Sequence, residues 1–147
     1  MHGHDESMKD EVVAYLRSVS VNPIVLKDIR GARASLFEKF RDVAGEARFA
    51  VVLFSADDFG ASAIQFNEVA DRALKYRARQ NVVLELGSLF GKLGWDKVFV
   101  LVKRPPRVFP DFERPSDLDG VAFDEMDALG AWKQQLGRQI EASLEQE

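Results

Sequence analysis

The sequence predicts an α/β domain, a parallel sheet covered by helices on both faces, and three observations carry that prediction. The stretches FAVVLF at 49–54 and VFVLV at 98–102 are apolar without alternation, as strands buried on both faces are. Segments with apolar residues at helical spacing lie before, between and after them, so helices and strands alternate along the chain. Four of the five prolines fall in the stretch KRPPRVFPDFERPSDLDG at 103–120, which concentrates the irregular backbone in one loop.

Each element follows from local pattern. DESMKDEVVAYLRSVS at 5–20 sets Met8, Val12, Tyr15, Leu16 and Val19 on one helical face, with Ser7 and Asp10 in capping-box positions. NPIVLKD at 22–28 reads as a short buried strand led in by Pro23. IRGARA is a basic loop. SLFEKFRDVAG at 35–45 reads as a second helix, with Ser35 and Glu38 as its capping box and Phe37, Phe40 and Ala44 facing inward. The buried strand within ARFAVVLFSADD ends in two aspartates. Residues 59–80 are mixed, partly helical and basic toward their end. NVVLELGSLFGKLG is a helix closed by Gly94, KVFVLV a buried strand and VAFDEMD a last short strand. AWKQQLGRQIEASL is a final helix with Trp132, Leu136 and Ile140 on one side.

Bulk properties exclude several functions. A chain of 147 residues suits a single domain with a real core. Its net charge of −4 argues against nucleic-acid binding by phosphate neutralisation. The absence of cysteine removes disulfides, a thiol nucleophile and thiolate metal sites, and fits a cytoplasmic setting. The longest apolar run is far short of the ~20 residues of a membrane span, and the polar start MHGHDESMKDE is no signal peptide. No membrane contact is expected. His2 and His4, one residue apart near a terminus, make a poor metal site even with Asp5, so no metal is expected. The chain also opens on a loop and a helix, with no strand ahead of them.

In a doubly wound sheet, ligands bind beyond the carboxyl ends of the strands, where the strand order switches. With a flavodoxin-like order, the loop HGHD, the pair Asp57 and Asp58 and the helix carrying Glu85 converge there. Glu85 is the single carboxylate in RQNVVLELGSLFGKLG, on a narrow polar stripe with Asn81, Ser88 and Lys92. On the residues alone, a solvated helix face balanced by Lys92 is the favoured reading. The crowding apolar residues leave the other one open, a carboxylate whose pKa is pushed up for chemistry. Asp57 and Asp58 read equally well as turn formers. Arg77 and Arg79, just ahead of a helix start, are placed either to meet a diphosphate or to lie on the surface. Asp5 reads as a helix cap and His4 as a border of the pocket.

The stretches HGHDE, FAVVLFSADD, RARQNVVLELGSLFGKLG, PSDLDGV and GAWKQQL, which together run the length of the chain, resemble the bacterial TIR-like domains described as predicted nucleotide-binding proteins. The likeness is strongest to TIR domains fused to bacterial STING or other nucleotide sensors in anti-phage defence. That resemblance implies a flavodoxin-like fold for residues 1–147 as one domain of a longer protein, with a strand ahead of HGHD that is missing from this chain. It implies cleavage of NAD+ to nicotinamide and ADP-ribose by Glu85, with NAD+ as substrate and no further cofactor. His4, Asp5, Arg33, Asp58, Arg79, Asn81 and Ser88 are the expected substrate contacts. Where the family often has Gly-Arg-Thr before the second helix, this chain reads GARAS, so the loop arginine, Arg30 or Arg33, is out of step. Activation by self-association, as an oligomer or filament, and a fused sensor domain are the implied partners. One carboxylate suffices for this chemistry, because cationic nicotinamide leaves as a neutral molecule and needs no general acid. The remaining oxocarbenium-like ribose needs only a negative partner. A non-catalytic interaction or nucleotide-binding module, and a synthase of a cyclised ADP-ribose messenger, are the alternatives.

Overall fold

The computed structural model describes residues 2–26, 36–69, 73–105, 111–118 and 123–145. Three strands form the main sheet: β1 (Ala50–Phe54), β4 (Val98–Val102) and β6 (Phe123–Glu125), all parallel in the order β1-β4-β6. Ala50 lies opposite Val98 and Phe54 opposite Val102, so the two predicted apolar runs are immediate neighbours.

Strand periodicity divides the core. Val52, Phe54, Val98, Val100 and Val102 point to one face, where α2 (Leu36–Glu46) lays Phe40 and Ala44 and α4 (Gln80–Leu93) lays Val82, Leu86, Leu89 and Phe90. Leu53, Phe99 and Leu101 point the other way, onto Met8, Val12 and Leu16 of α1 (Glu6–Ser18) and Trp132 and Leu136 of α5 (Ala131–Glu145). Each such fully buried side chain is worth about 1.5–3 kcal/mol of transfer free energy. Tyr15 meets Trp132 edge-on at 5.6 Å and donates its hydroxyl to the carbonyl of Lys133 at 2.5 Å, which ties α1 to α5. The α/β class with a parallel sheet between helices is therefore as expected, and Trp132 is core.

Several local expectations differ. Of the two caps the sequence offers for α1, the cap is Asp5 and not the Ser7–Asp10 pair, because Asp5 Oδ1 takes the N–H of Met8 at 2.8 Å. Residues 59–80 hold more than helix. β2 (Asp58–Gly60) and β3 (Lys75–Arg77) flank α3 (Ala63–Val69), and with β5 (Phe112–Glu113) from the proline-rich loop they make a second sheet in the order β2-β3-β5. Strands of two or three residues are too short to leave a periodicity. Gly94 ends α4 at φ +88°, as its position after the last apolar residue implied.

The segment predicted as a strand at 22–28 forms none over its described residues 22–26, and Ile24 is 61% exposed. A strand needs a ladder partner. Beside β1, on the side away from β4, the only pairing among the described residues is a single parallel bridge between His2 and Leu53. The capping box of Ser35, the inward Phe37 and the loop arginines Arg30 and Arg33 lie outside the residues or side chains described.

Candidate functional site

The loop of residues 2–5 is fastened across the carboxyl ends of β1 and β4. His2 bridges Leu53, the main-chain N–H of His4 donates to Asp57 Oδ2 at 3.1 Å, and Lys103 Nζ, just past β4, meets Asp5 Oδ2 at 2.6 Å. Ser55, buried directly after β1, donates its hydroxyl to the same Asp57 oxygen at 2.8 Å. A Cβ at Gly3 would lie 1.7 Å from Asp57 Oδ2, so a larger residue there would displace that carboxylate. Burial alone would raise the Asp5 pKa. The hydrogen bonds from Lys103 and the Met8 N–H, with the Lys103 charge, bring it below the ordinary carboxylate value. Asp5 is thus committed to a cap and an ion pair, while the His4 side chain is exposed.

Glu85 occupies the second turn of α4. At 100° per residue it stands about 40° from Leu89 and about 60° from Val82, both buried against β1, so its carboxylate borders the core side of the helix. It is half-buried, and among the described residues it has no hydrogen bond and no ion pair. Desolvation pushes its pKa above the ordinary glutamate value. The neighbourhood is less closed than the sequence implied, for Leu84 is 62% exposed. Lys92, the expected counter-charge, makes no ion pair with Glu85.

The remaining candidates separate. Asn81 is exposed in the first turn of α4, and Arg79 holds the N-cap position without a side-chain cap bond. The Ser88 hydroxyl donates back to the carbonyl of Leu84 at 3.0 Å, as helical serines often do. Asp58 opens β2 opposite Arg77. Arg77 itself is paired with Glu113 Oε2 at 2.5 Å, so it is not a free diphosphate ligand in this arrangement. A concavity of about 390 Å³ lies at the start of α4 and is lined by Arg77, Gln80, Val83, Glu113, Arg114 and Ser116. Gln80 and Val83 stand some 140–200° around the helix from Glu85. A second, apolar groove of about 430 Å³ includes His2 and reaches α4 at Leu89, one turn beyond Glu85 and on the same side. Glu85 lines neither.

No helix of the described residues is long and apolar enough to cross a membrane, and no cluster of three or more potential metal ligands occurs among them.

The model of the CAP12/Pycsar effector protein TIR domain matches residues 1–128, most of the chain. The chain belongs to this TIR-domain family. It is 38% identical over 136 residues to the uncharacterised protein YuaY of Escherichia coli K12, a match that covers 92% of the chain and 42% of that protein. It is 28% identical over 123 residues to tirC of Dictyostelium discoideum, covering 84% of the chain and 60% of that protein. The TIR domain thus spans less than two thirds of the length of either curated relative.

Within this TIR domain, Asp57, read from the sequence as a residue of the crevice or a turn former, holds the HGHD loop in place together with Ser55, Gly3 and Lys103, which sequence reasoning passed over. SADD and the lysine after β4 stand at the carboxyl ends of β1 and β4, and that shared position was the available signal.

Proposed function

We infer that this TIR domain is an NAD+ glycohydrolase of an effector protein, with Glu85 as its catalytic carboxylate. The observation that carries the reading is Glu85 itself, a half-buried carboxylate on the core side of α4, without a partner among the described residues and with its pKa raised by desolvation. Poorly solvated, and without a partner among the described residues, it is disposed to favour a developing positive charge brought close to it. The ribose cation left when nicotinamide departs is such a charge. In this reading His4, Arg33, Asp58, Arg79, Asn81 and Ser88 contact the substrate and Asp5 positions the loop that carries His4. Self-association, driven by a STING-like or other sensor domain in a longer cytoplasmic protein, switches the domain on during anti-phage defence.

The test is NAD+ consumption by the purified domain at high concentration or with a crowding agent, wild type beside Glu85→Gln. Turnover that the substitution abolishes supports the reading, and chromatography of the products separates linear from cyclised ADP-ribose. Turnover indifferent to the substitution places the chemistry elsewhere.

A second reading, a non-catalytic interaction module, is favoured by α3. That helix exposes Phe66 and Val69, about 60° apart on one of its faces. An apolar patch of this kind serves assembly without any chemistry. Association with no turnover in either protein selects it.

A further inference from the structure

The concavity at the start of α4 lies between two stretches of chain that the β3–β5 pairing brings together, residues 77–83 and residues 113–116. At about 390 Å³ it is of the size that holds a small molecule. Its walls differ in kind. Val83 and Pro115 are apolar, while Gln80, Arg114 and Ser116 carry hydrogen-bond donors. Glu113 would repel an anion, but Arg77 cancels it, Nε to Oε2 at 2.5 Å. Gly60 leaves room for the Arg77 guanidinium, which a Cβ there would strike, so the group rests directly on β2 and is fixed in that task. Arg114 is the charge left over. It has no carboxylate partner among the described residues, and its guanidinium lies over the Phe123 ring at 4.8 Å from the centroid. A stacked guanidinium is held by its face, while its N–H groups lie in its plane and stay free to donate. Among its described lining residues the cavity therefore holds one surplus positive charge, already oriented.

We propose that this cavity binds a small organic phosphate, with the phosphate on Arg114, Ser116 and Gln80 and the apolar part of the molecule on Val83 and Pro115. The donors decide the head group. A carboxylate offers two oxygens in one plane and is satisfied by a single guanidinium edge. Here donors stand on both walls, Gln80 on one and Arg114 with Ser116 on the other, and a tetrahedral phosphate has acceptors for both directions. The apolar pair decides the rest, since inorganic phosphate would leave Val83 and Pro115 uncovered. The site is independent of the catalytic reading of Glu85, because Gln80 and Val83 stand some 140–200° around α4 from that residue. A ligand held there joins residues 113–116 to the first turn of the helix that carries Glu85.

The experiment titrates the protein with phenyl phosphate, benzoate and inorganic phosphate, read by amide chemical shifts and by thermal melts. Wild type is compared with Arg114→Gln and Glu85→Gln. Arg114 is exposed, so its substitution should leave the melt without ligand nearly unchanged. Phenyl phosphate should move the amides of residues 77–83 and 113–116, and raise the midpoint by roughly 3 °C at ten times its Kd. Benzoate and inorganic phosphate should each bind at least about tenfold more weakly, because each lacks one half of the match. Arg114→Gln should lose about tenfold in affinity for phenyl phosphate and Glu85→Gln nothing. No response to phenyl phosphate up to about 10 mM overturns the proposal. So does benzoate binding as tightly, shifts centred on other residues, or an Arg114→Gln protein that binds as well as wild type. Loss of binding in Glu85→Gln overturns it as well, because the ligand then sits at that carboxylate.

Discussion

The main-chain N–H of His4 donates to the carboxylate of Asp57 across 3.1 Å, although the two residues lie 53 positions apart. The buried Ser55 hydroxyl reaches the same oxygen, so one carboxylate holds both the loop ahead of α1 and the turn after β1. Asp57→Ala removes the acceptor of both bonds and should lower stability by about 1 kcal/mol, near the usual net worth of a hydrogen bond because the His4 contact is exposed. Asp57→Asn keeps an acceptor oxygen and should lose less. Thermal denaturation of the two variants checks the order. If Asp57→Asn proves the more damaging, the carboxylate has another task.

Gly3 and Asp57 are coupled through space. A Cβ on residue 3 would come within 1.7 Å of Asp57 Oδ2, so Gly3→Ala must displace the carboxylate and break the bonds to His4 and Ser55. The damage should therefore be at least that of Asp57→Ala, about 1 kcal/mol or more. In the double variant the alanine has nothing left to strike, and the combined loss should be well short of the sum. A double-mutant cycle reads the difference, and strict additivity would contradict the contact.

Asp5 and Lys103 make a pH-dependent fastening. The folded-state pKa of Asp5 is lowered, so its charged form stabilises the fold above the ordinary value of 3.8, and that contribution is lost as pH falls through the lower folded value. Asp5→Asn keeps the oxygen that caps α1 and removes the charge. It should be less stable than wild type at neutral pH and converge with it as pH drops below 3.8. Asp5→Ala should lose about 1 kcal/mol more at every pH, the usual worth of an N-cap. Lys103 is 38% exposed, so added salt should narrow the gap between wild type and Asp5→Asn. Denaturant melts across pH and salt test all of these relations.

The elements legible in the sequence are those with long, one-sided patterns. β1 and β4 are unbroken apolar runs, and α4 and α5 repeat their apolar positions over several turns, so their place in the core followed directly. The second sheet did not, since Asp58–Gly60, Lys75–Arg77 and Phe112–Glu113 pair across gaps in sequence and are too short for a period of two to show. The strand expected at 22–28 is absent over its described residues 22–26 for the opposite reason. Its composition is right, but no sequence window shows whether a ladder partner stands beside it. Of the candidate site residues, Glu85 stands out in the sequence as a polar residue in an apolar run. The supports of the HGHD loop stayed hidden, because an Asp that receives a distant N–H reads locally as one that starts a turn.

Glu85 is where stability and activity should move in opposite directions. Desolvation raises its folded-state pKa above the ordinary 4.5, which means folding disfavours its charged form. That penalty is absent at pH values below 4.5, grows as pH rises through the folded value, and is fully present at neutrality. Glu85→Gln removes the charge and keeps the shape, so it should unfold at a higher temperature than wild type at neutral pH. The advantage should shrink to nothing in acid. The same substitution should abolish NAD+ turnover, if the half-buried charge is what stabilises the ribose cation. A solvated helix residue predicts something different, equal stability of the two proteins at every pH and no loss of activity. Paired melts from acid to neutral pH, run beside the turnover assay on the same preparations, separate the two accounts. A variant that is destabilised at neutral pH would show that the Glu85 carboxylate is satisfied in the folded protein, and would remove the physical basis for its assignment.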